Sequence, residues 1–489
     1  FDKSTISSLF SFSILSIYFY LYRLKDCHQI YNSAFMELNE NIFRANDIRG
    51  IAYEDLTEEV VIALGKALGT ESINRNQGNF IIGRDGRISS PHLFEWLTEG
   101  VLSTGCNVKD IGIVPSPVFY YSTFNLNSSS GAIITGSHNP ADYNGFKILF
   151  NNNSTSSDEI QSIKRKIKEK DFLSGSGNIE SLDIVESYVE EVIDNIQLKR
   201  PLNISIDCGN GAASIVAERI YKGLGCKVEG LFCDLDGKFP NHHPDPSKPE
   251  NVEDLIKSVL KNHSEIGLAF DGDADRLGVI APSGEMIFPD MQMILFSEHI
   301  LKKNPNSKIV FDVKCSKLLE EAILKSKGTP IMSKTGHSFI KSMMREEGAI
   351  LGGEMSGHIF FNDRWPGFDD GVYAGARMLE ILSSSEGEDV FRALPKLVST
   401  PEINIETSDE EKFSIIDNFM KMSNFEDGKI IDIDGIRVEF DNGWGLLRAS
   451  NTSPVLVLRF EADSSNALSA IKERFKDTLY KIEPTLANF

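Results

Sequence analysis

The chain has 489 residues, of which 71 are Asp or Glu and 50 are Lys or Arg, so its formal net charge at pH 7 is −21. This length suggests about three domains, and a composition of 41% hydrophobic and 25% charged residues excludes a long disordered or fibrous chain. So acidic a protein argues against nucleic-acid and membrane partners, because anionic phosphates attract basic patches, but a small phosphorylated substrate still fits a local positive cleft.

The first 38 residues are unlike the rest of the chain. Residues 9–24 form an apolar run diluted by serines, with Arg23 and Lys25 at its end. The run is shorter than the ~20 residues of a membrane-spanning helix, and its positive charge lies on the wrong side for a secretory signal. Because the chain begins with Phe and the next candidate start is Met36, we expect an over-extended or fragmentary gene start, with a weak membrane anchor as the alternative.

Six cysteines are too few for a disulfide scaffold in a chain of this length, and no C-x-x-C pair is present. Most of them lie inside apolar stretches, where a free thiol behaves as a small hydrophobic group. This usage predicts buried, reduced thiols in a cytoplasmic protein.

From residue 41 onward, strand-like and helix-like stretches alternate. The apolar residues 80–83 precede a helix start at Ser90 and Pro91, and the strand-like residues 203–207 and 308–312 also run into a turn and a helix. Three such openings predict three related α/β domains. The last ~90 residues read as strands with two helices, which predicts a smaller α+β domain. The expected domains are residues 39–183, 184–285, 286–399 and 400–489.

The first loop with chemical potential is Thr135-Gly136-Ser137-His138-Asn139-Pro140, which follows an apolar run. A serine between a permissive glycine and a histidine at a strand end is a candidate nucleophile, although an ordinary polar turn is the alternative. The segment that follows returns Lys147 to the same region.

The second loop carries three carboxylates at alternate positions, Asp271, Asp273 and Asp275, after a strand-like run. Such carboxylates can converge on one hard divalent cation, and without a cation they repel one another. An EF-hand is excluded, because Arg276 stands where that loop has Gly and Pro282 where it has Glu. A phosphatase with an aspartyl nucleophile stays open as an alternative.

The third and fourth loops suit the two ends of a phosphosugar. Glu354 and Ser356 are two residues apart, so on an extended segment both side chains face the same side and can bind adjacent sugar hydroxyls. The fourth loop, between two strands of the last domain, offers a guanidinium, hydroxyls and an amide for a dianionic phosphate, on Arg448, Ser450, Asn451 and Thr452. A plain polar turn is the alternative for each. Together the four loops predict phosphoryl transfer through a phosphoserine.

These loops, in this order, resemble the α-D-phosphohexomutase superfamily and, within it, the bacterial phosphomannomutase/phosphoglucomutase enzymes. The resemblance covers nearly everything from residue 41 to the C-terminus and includes FRANDIRG at 43–50, GRDGR at 83–87, DCGNG at 207–211, PNHHPDP at 240–246 and KTGHSFIK at 334–341. It implies four domains around a central cleft, three related α/β domains and a TATA-binding-protein-like α+β domain.

The resemblance also implies a reaction. Ser137 is phosphorylated in the resting enzyme, and Mg²⁺ is held by that phosphate with Asp271, Asp273 and Asp275. Ser137 gives its phosphoryl group to a hexose phosphate, the hexose 1,6-bisphosphate turns over in the cleft, and the other phosphate returns to Ser137. Mannose and glucose phosphates are both expected substrates, and we expect a cytoplasmic monomer or weak dimer.

The remaining site residues follow from the resemblance together with their chemistry. His138 and Arg276 are expected to stabilise charge on the transferring phosphoryl group. Lys147 and Arg49 are acid/base or electrostatic candidates, with Lys147 acting as a base if surrounding cations lower its pKa. Expected substrate contacts come from His337, Lys314, Glu354, Ser356 and His358, with Glu354 and Ser356 at O3 and O4 of the sugar. The phosphate that is not reacting is assigned to Arg448, Ser450, Asn451 and Thr452.

Two positions depart from the family pattern. Asn46 stands where the family often has Tyr, which weakens one substrate contact, and Ala274 stands where Gly is usual in the metal loop, which is harmless unless its φ is positive. The alternatives are a phosphoglucosamine mutase, a metal-dependent sugar phosphatase that uses Asp271, and a silent phosphosugar-binding paralogue. Met355 and Gly136 fit the glucose and mannose group better than the glucosamine group.

Overall fold

The computed structural model describes residues 38–384, 387–450, 453–487 and 489. This part of the chain holds four β-sheets in chain order, each with helices packed on it. The sequence prediction of three α/β units followed by an α+β unit is confirmed. The prediction of a non-native start concerns residues that lie almost wholly outside the described part.

The first sheet has the strand order β1-β5-β4-β2-β3-β7, with β6 beside β5. Its central strands β4, β2 and β3 are parallel, whereas β5 runs antiparallel to β4 and β1. The strands are β1 (Ile48–Ile51), β2 (Asn79–Arg84), β3 (Asn107–Ile113), β4 (Gly131–Ile134), β5 (Tyr143–Phe150), β6 (Asn153–Ser154) and β7 (Ile179–Ser181). The helices are Glu58–Asn74, Ser90–Leu102, Ser116–Asn125 and Ser157–Glu169, with a 3₁₀ turn at Glu40–Ile42.

Local sequence explains where these helices begin. The helix predicted to start at Ser90 and Pro91 begins at Ser90, with Pro91 at its second position and not at the predicted first. Proline is tolerated there because it lacks an N–H that the first turn leaves unused. Ser156 and Glu159 form a capping box, in which each side chain binds the backbone N–H of the other residue. The fully buried strand β4 is the apolar run that precedes the serine loop.

The second sheet has the order β12-β11-β10-β8-β9, with β10, β8 and β9 parallel. The strands are β8 (Asn203–Asp207), β9 (Lys227–Leu231), β10 (Ile266–Phe270), β11 (Leu277–Ile280) and β12 (Met286–Ile287). The helices are Val185–Asn195, Ala217–Gly223 and Glu253–Asn262, with 3₁₀ turns at Ala212–Ile215 and Pro249–Asn251. The helix predicted after DCGNG begins as the 3₁₀ turn Ala212–Ile215 and continues as the α-helix Ala217–Gly223.

The third sheet has the order β14-β13-β15-β16, parallel except for its last strand. The strands are β13 (Lys308–Asp312), β14 (Thr329–Ser333), β15 (Leu351–Gly353) and β16 (Ile359–Phe361). The helices are Pro289–Leu301, Lys317–Lys325, His337–Glu347, Gly371–Leu382 and Gly387–Arg392.

The fourth sheet is antiparallel, in the order β17-β22-β21-β20-β19 with β18 beside β22. The strands are β17 (Val398–Ser399), β18 (Ile403–Glu406), β19 (Lys429–Ile431), β20 (Ile436–Phe440), β21 (Gly443–Ala449) and β22 (Val455–Ala462). Two helices, Lys412–Met422 and Ser465–Ile482, pack on it through a cluster of phenylalanines, with a 3₁₀ turn at Pro484–Ala487. Gly435, in the connection between β19 and β20, has a φ of 78°.

The sheets extend slightly beyond the predicted domain boundaries. Strand β12 at Met286–Ile287 still belongs to the second sheet, and β17 at Val398–Ser399 already belongs to the fourth. The second and third units share one apolar core, because the helix Gly371–Leu382 is buried on nearly all sides. Within the described residues, no helix is both long and apolar enough to cross a membrane.

Candidate active site

The serine loop lies at the carboxyl end of β4, where open α/β sheets place their ligand sites. Ser137 adopts the left-handed backbone region with a φ of 50°, which costs a non-glycine residue energy and is found at functional sites. Its N–H is bound by Thr135 Oγ1 at 2.9 Å. The predicted nucleophile is therefore held in a strained, defined conformation.

A single arginine holds this strained loop, and sequence reasoning did not single it out. Arg87 is fully buried and donates hydrogen bonds to four loop carbonyls, those of Ser137 (2.8 Å), Asn139 (2.7 Å), Pro140 (2.5 Å) and Tyr143 (3.0 Å). A Cβ at Gly136 would meet the guanidinium carbon at 2.5 Å, which explains the glycine before the nucleophile. GRDGR was noted only as a family segment.

Three buried carboxylates meet the serine from the second unit. The Ser137 hydroxyl donates to Asp271 Oδ2 at 3.0 Å and lies 3.2 Å from His138 Nδ1. Asp271, Asp273 and Asp275 each offer an oxygen, and these oxygens lie within 4.8 Å of one another. The two loops touch directly, since a Cβ on Gly272 would meet the Ser137 carbonyl at 2.3 Å.

The surroundings of Lys147 differ in charge from those predicted. Its Nζ donates to Asp273 Oδ2 at 2.6 Å and also binds Asp275 Oδ2, so carboxylates surround it where cations were expected. Burial lowers the pKa of Lys147, but these carboxylates outweigh burial and hold the pKa above its usual value. The side chain is a cation here, and the lowered pKa expected of a base is wrong for this geometry.

The three carboxylates fit a divalent cation. Asp273 Oδ1 and Asp275 Oδ1 are buried and have no hydrogen-bond partner among the described residues. Oxygen atoms of this kind are the ligands that Mg²⁺ prefers. Burial disfavours ionisation of both Asp271 and Asp273; the neighbouring carboxylates raise the pKa of Asp271 further, whereas Lys147 holds that of Asp273 low. The site thus has a charge imbalance that a cation would relieve.

Ala274, in the middle of the metal loop, has a φ of 65°. Since this φ is positive, the methyl group of Ala274 is not harmless. An L-residue in this region carries a cost of roughly 1–2 kcal/mol relative to the right-handed conformation. The methyl group is fully buried in the core shared by the second and third units, so burial offsets part of this cost.

His138, Arg276 and Arg49 surround the serine. Burial, together with Arg276 and Arg49, holds the pKa of His138 well below its usual value, so a neutral ring acts here only through its hydrogen bonds. Arg276 Nε lies 3.7 Å from Asp271 Oδ2. Arg49 donates hydrogen bonds to Asn139 Oδ1 and to Asp47 Oδ2, both at 2.6 Å.

Asp369 joins the metal loop to the third unit, and no signal in the sequence distinguished it. It accepts a hydrogen bond from Lys341 Nζ at 3.0 Å, and its other oxygen lies 3.1 Å from His358 Nδ1 and 3.6 Å from His337 Nδ1. Because Arg276 Nε donates to His358 Nε2 at 3.1 Å, the ring proton belongs on Nδ1, facing Asp369. Burial raises the pKa of Asp369, but Lys341 and His358 overcome burial and hold it well below its usual range.

The sugar loop is anchored by the backbone of the KTGHSFIK segment. Glu354 is buried, which raises the pKa of its carboxyl, and it accepts a hydrogen bond from the Gly336 N–H at 2.5 Å. Ser356 is half-buried beside it. Lys314 donates to Glu402 of the fourth unit at 2.6 Å, a partner that the sequence did not indicate.

The phosphate loop of the fourth unit is described except for Asn451 and Thr452, which lie outside the described residues. Arg448 Nε donates to Asp434 Oδ2 at 2.8 Å, and its buried Nη2 has no hydrogen-bond partner among the residues described. Lys412 fixes the loop by donating to the carbonyl of Ser450 at 2.7 Å and to that of Ser453 at 3.2 Å. Its position at the start of a helix gave no indication of this role.

Many of the predicted site residues are linked by contacts from one to the next. Ser137, the three aspartates, Lys147, Arg276 and His358 connect through Asp369 to His337. The two residues before His337 continue the path: the Gly336 N–H binds Glu354, and the Thr335 N–H binds Asp434. Asp434 also accepts a hydrogen bond from Arg448. The KTGHSFIK segment thus links the nucleophile side to the phosphate loop.

Four family models match the chain. "Phosphoglucomutase/phosphomannomutase, alpha/beta/alpha domain I" matches residues 40–174, domain II of the same description matches 186–284, domain III matches 288–399, and the "C-terminal domain" matches 402–478. Together these models match well over half of the chain.

Similar proteins are mutases. A phosphomannomutase/phosphoglucomutase of Pseudomonas putida is 48% identical over 451 residues, which is 92% of this chain and 97% of that protein. A phosphoglucomutase of Neisseria gonorrhoeae is 47% identical over 444 residues, covering 90% of this chain and 96% of its own length. A crystal structure of a phosphoglucomutase/phosphomannomutase family protein from Burkholderia thailandensis superposes with a TM-score of 0.88 at 43% identity, covering 92% of this chain and 99% of that one.

Proposed function

The chain belongs to the phosphoglucomutase/phosphomannomutase family, and on that premise we propose how its own side chains divide the work. The enzyme is a phosphohexomutase, an isomerase that interconverts the 1-phosphates and 6-phosphates of mannose and glucose. We place one part of the reaction on each of four units, with boundaries after residue 183, after Ile287 and before Val398, because each unit holds one sheet.

Ser137 is the proposed nucleophile and phosphoryl carrier. Its strained backbone, the Arg87 clamp and the hydrogen bond to Asp271 present one hydroxyl at the meeting point of two units. In the transfer step the bond from phosphorus to Oγ of phosphorylated Ser137 breaks and a bond to a sugar hydroxyl oxygen forms, and the proton of that hydroxyl replaces the phosphoryl group on Ser137 Oγ. The sugar bisphosphate then returns its other phosphoryl group to Ser137.

Asp271, Asp273 and Asp275 would hold Mg²⁺, which supplies charge stabilisation at the transferring phosphoryl group when bound. The aspartates beside Lys147 hold its pKa above the usual value in this arrangement, and we assign Lys147 an electrostatic role. Arg276 and Arg49 add positive charge beside Ser137, and the neutral His138 contributes a hydrogen bond.

The other loops bind the sugar and its second phosphate. We assign the sugar hydroxyls to Glu354 and Ser356, with His358, His337 and Lys314 as further contacts. His358 and His337 both lie close to Asp369, and Glu354 accepts a hydrogen bond from the residue before His337. The phosphate that is not reacting falls to Arg448 and Ser450, with Asn451 and Thr452 proposed from sequence alone. Support for Arg448 comes from its buried Nη2, which has no hydrogen-bond partner among the described residues.

The observation that carries this proposal is the contact between the Ser137 hydroxyl and the aspartate cluster. The test follows glucose 1-phosphate and mannose 1-phosphate by phosphorus NMR, with Mg²⁺ and a trace of glucose 1,6-bisphosphate. Ser137→Ala is expected to lower kcat at least about a thousandfold, as loss of a nucleophile does. The matched control is Ser130→Ala, since the Ser130 hydroxyl is buried without a hydrogen-bond partner among the described residues and precedes the same strand.

Retention of isomerisation by Ser137→Ala would overturn the assignment of the nucleophile. Release of inorganic phosphate without isomerisation would instead favour the phosphatase alternative, which none of the relatives reported above supports. Glucosamine phosphates in the same assay decide the phosphoglucosamine mutase alternative. We further propose a cytoplasmic enzyme that acts as a monomer or weak dimer on phosphosugars, without nucleic-acid or membrane partners, on the basis of its net charge of −21 and its cysteine usage.

A further inference from the structure

Two cysteines of the second unit face each other at the ends of neighbouring strands. Cys208 follows β8 directly, and Cys233 follows β9 after one intervening residue. The strands are parallel, with Asp207 opposite Leu231, so both cysteines leave the same edge of the sheet. Their Sγ atoms lie 3.4 Å apart.

The backbone around the pair is already fixed. The Cys208 N–H binds the Leu231 carbonyl at 3.1 Å, and the Asn210 N–H binds the Phe232 carbonyl at 2.9 Å. A disulfide has an S–S distance of about 2.05 Å. The sulfur atoms are therefore about 1.4 Å from bonding distance, in a backbone that hydrogen bonds hold between the two strands.

We propose that Cys208 and Cys233 form a reversible disulfide with a low-molecular-weight disulfide as the oxidant. This modification does not depend on the mutase reaction or on the roles assigned above. From the sequence alone, both residues are expected to be buried, reduced thiols.

Exposure decides which thiol reacts first. Cys233 is partly exposed, whereas Cys208 is fully buried, and its contact with Cys233 together with burial raises the pKa of the Cys208 thiol. Cys233 as thiolate attacks one sulfur of the external disulfide, and one small thiol leaves. Cys208 then attacks the Cys233 sulfur and displaces the second small thiol. Two electrons pass to the external disulfide, and the two cysteine protons end on the two thiols released.

One short turn connects Cys208 to the metal loop. Cys208 leads into residues 209–211, and the next N–H, that of Ala212, binds the carbonyl of Gly272 at 2.9 Å. Gly272 lies between two of the metal-loop aspartates and against the Ser137 carbonyl.

Because a crosslink restricts the unfolded chain, we expect the oxidised enzyme to have a higher Tm than the reduced enzyme.

The test treats the full chain with glutathione disulfide and maps peptides by mass spectrometry without reduction. The expected result is a crosslinked peptide pair that contains Cys208 and Cys233, a loss of two titratable thiols, and reversal of both changes by dithiothreitol. Cys226→Ser is the matched control, because Cys226 is buried in the same unit, and it should crosslink as the wild type does. Cys233→Ser, at a partly exposed position, should abolish the crosslink even if Cys208→Ser does not fold.

Two results would overturn the proposal. One is a stable mixed disulfide of glutathione on Cys233 with Cys208 still free. The other is two free thiols at glutathione disulfide concentrations that oxidise a reference dithiol.

Discussion

Replacing Arg87 with methionine tests whether the nucleophile depends on a residue that is assigned no contact with substrate. The substitution keeps the approximate length of the side chain but removes every donor to four loop carbonyls and leaves Asp85, 3.2 Å away, without its cation. Breaking a buried ion pair by removing one partner costs about 3–5 kcal/mol. We expect the free energy of unfolding to fall by that amount.

The kinetic effect should be separable from the loss of stability. A displacement of about 1 Å in a reacting group costs on the order of a hundredfold in rate, so kcat of the folded Arg87→Met enzyme should fall at least a hundredfold. The KM should change little, because the sugar and the distal phosphate are assigned to other units. Arg87→Lys keeps the charge but not the planar fork, so it should rescue stability more than kcat.

The same motif supplies the control. Arg84 makes one ion pair with Asp110 at 2.8 Å, its side chain is 19% exposed, and it contacts no carbonyl of the serine loop in any described hydrogen bond. Arg84→Met should cost less than about 1 kcal/mol, as partly exposed pairs do, and leave kcat unchanged. Urea unfolding and steady-state kinetics measure both quantities. If folded Arg87→Met turns over within twofold of wild type, the positioning role is refuted.

Three further substitutions probe the charge and strain in the site. Lys147→Met leaves two buried carboxylates uncompensated, so Tm should drop in EDTA and recover with Mg²⁺ by more than the wild type does; equal shifts in a thermal melt would contradict this. Ala274→Gly should change stability by less than about 1 kcal/mol, because relief of a positive φ offsets the lost methyl burial, whereas Ala374→Gly inside a buried helix should cost about 2 kcal/mol. Burial raises the pKa of Asp370 from 3.8 to about 7, so the folded protein keeps a proton that the unfolded chain loses. This contribution to stability is full below pH 4 and decreases by about 1.4 kcal/mol per unit as pH rises towards 7. Asp370→Asn should remove that slope in urea titrations at pH 5, 6 and 7, and identical slopes would contradict the assignment.

The order of the loops was predictable because each depends on local sequence. An apolar run ending in Gly-Ser-His-Asn or in Asp-Gly-Asp predicts a strand followed by a polar loop, and in a mainly parallel sheet such loops gather at one edge. The α+β character of the last unit was predictable for the same reason, since alternation and turn residues mark its strands.

The roles of Arg87, Asp369 and Lys412 were not predictable, because their partners lie far away in the chain. Arg87 binds carbonyls 50 to 56 residues further along, and nothing in GRDGR distinguishes it from Arg84. Asp369 and Asp370 are adjacent and chemically identical, yet the first binds Lys341 and the second caps a helix. Only the packing of the helix Gly371–Leu382 against the second unit separates them.

Lys147 shows how register decides chemistry. The antiparallel pairing of β5 with β4 puts Lys147 opposite Ile133, and from that position its side chain reaches Asp273 of the next unit. Sequence placed the lysine near the serine correctly but assigned its neighbours the wrong sign. The pKa of Lys147 is set by the aspartates that surround it in space, which its position in the sequence does not reveal.

The cations of the site lie beside carboxylates, in keeping with the acidic composition of the chain. Five cations assigned to the site are each already bound or closely approached by a carboxylate, in the pairs Arg49–Asp47, Lys147–Asp273, Arg276–Asp271, Lys314–Glu402 and Arg448–Asp434. A neutral sugar hydroxyl offers these cations less negative charge than the carboxylates that they already bind. A dianionic phosphate offers more charge and three acceptor oxygens, and Mg²⁺ would draw the metal-loop carboxylates away from Lys147. The carboxylates therefore favour substrates with a phosphate at each end of the path between Ser137 and Arg448, which is the form of the bisphosphate that must stay bound while it turns over.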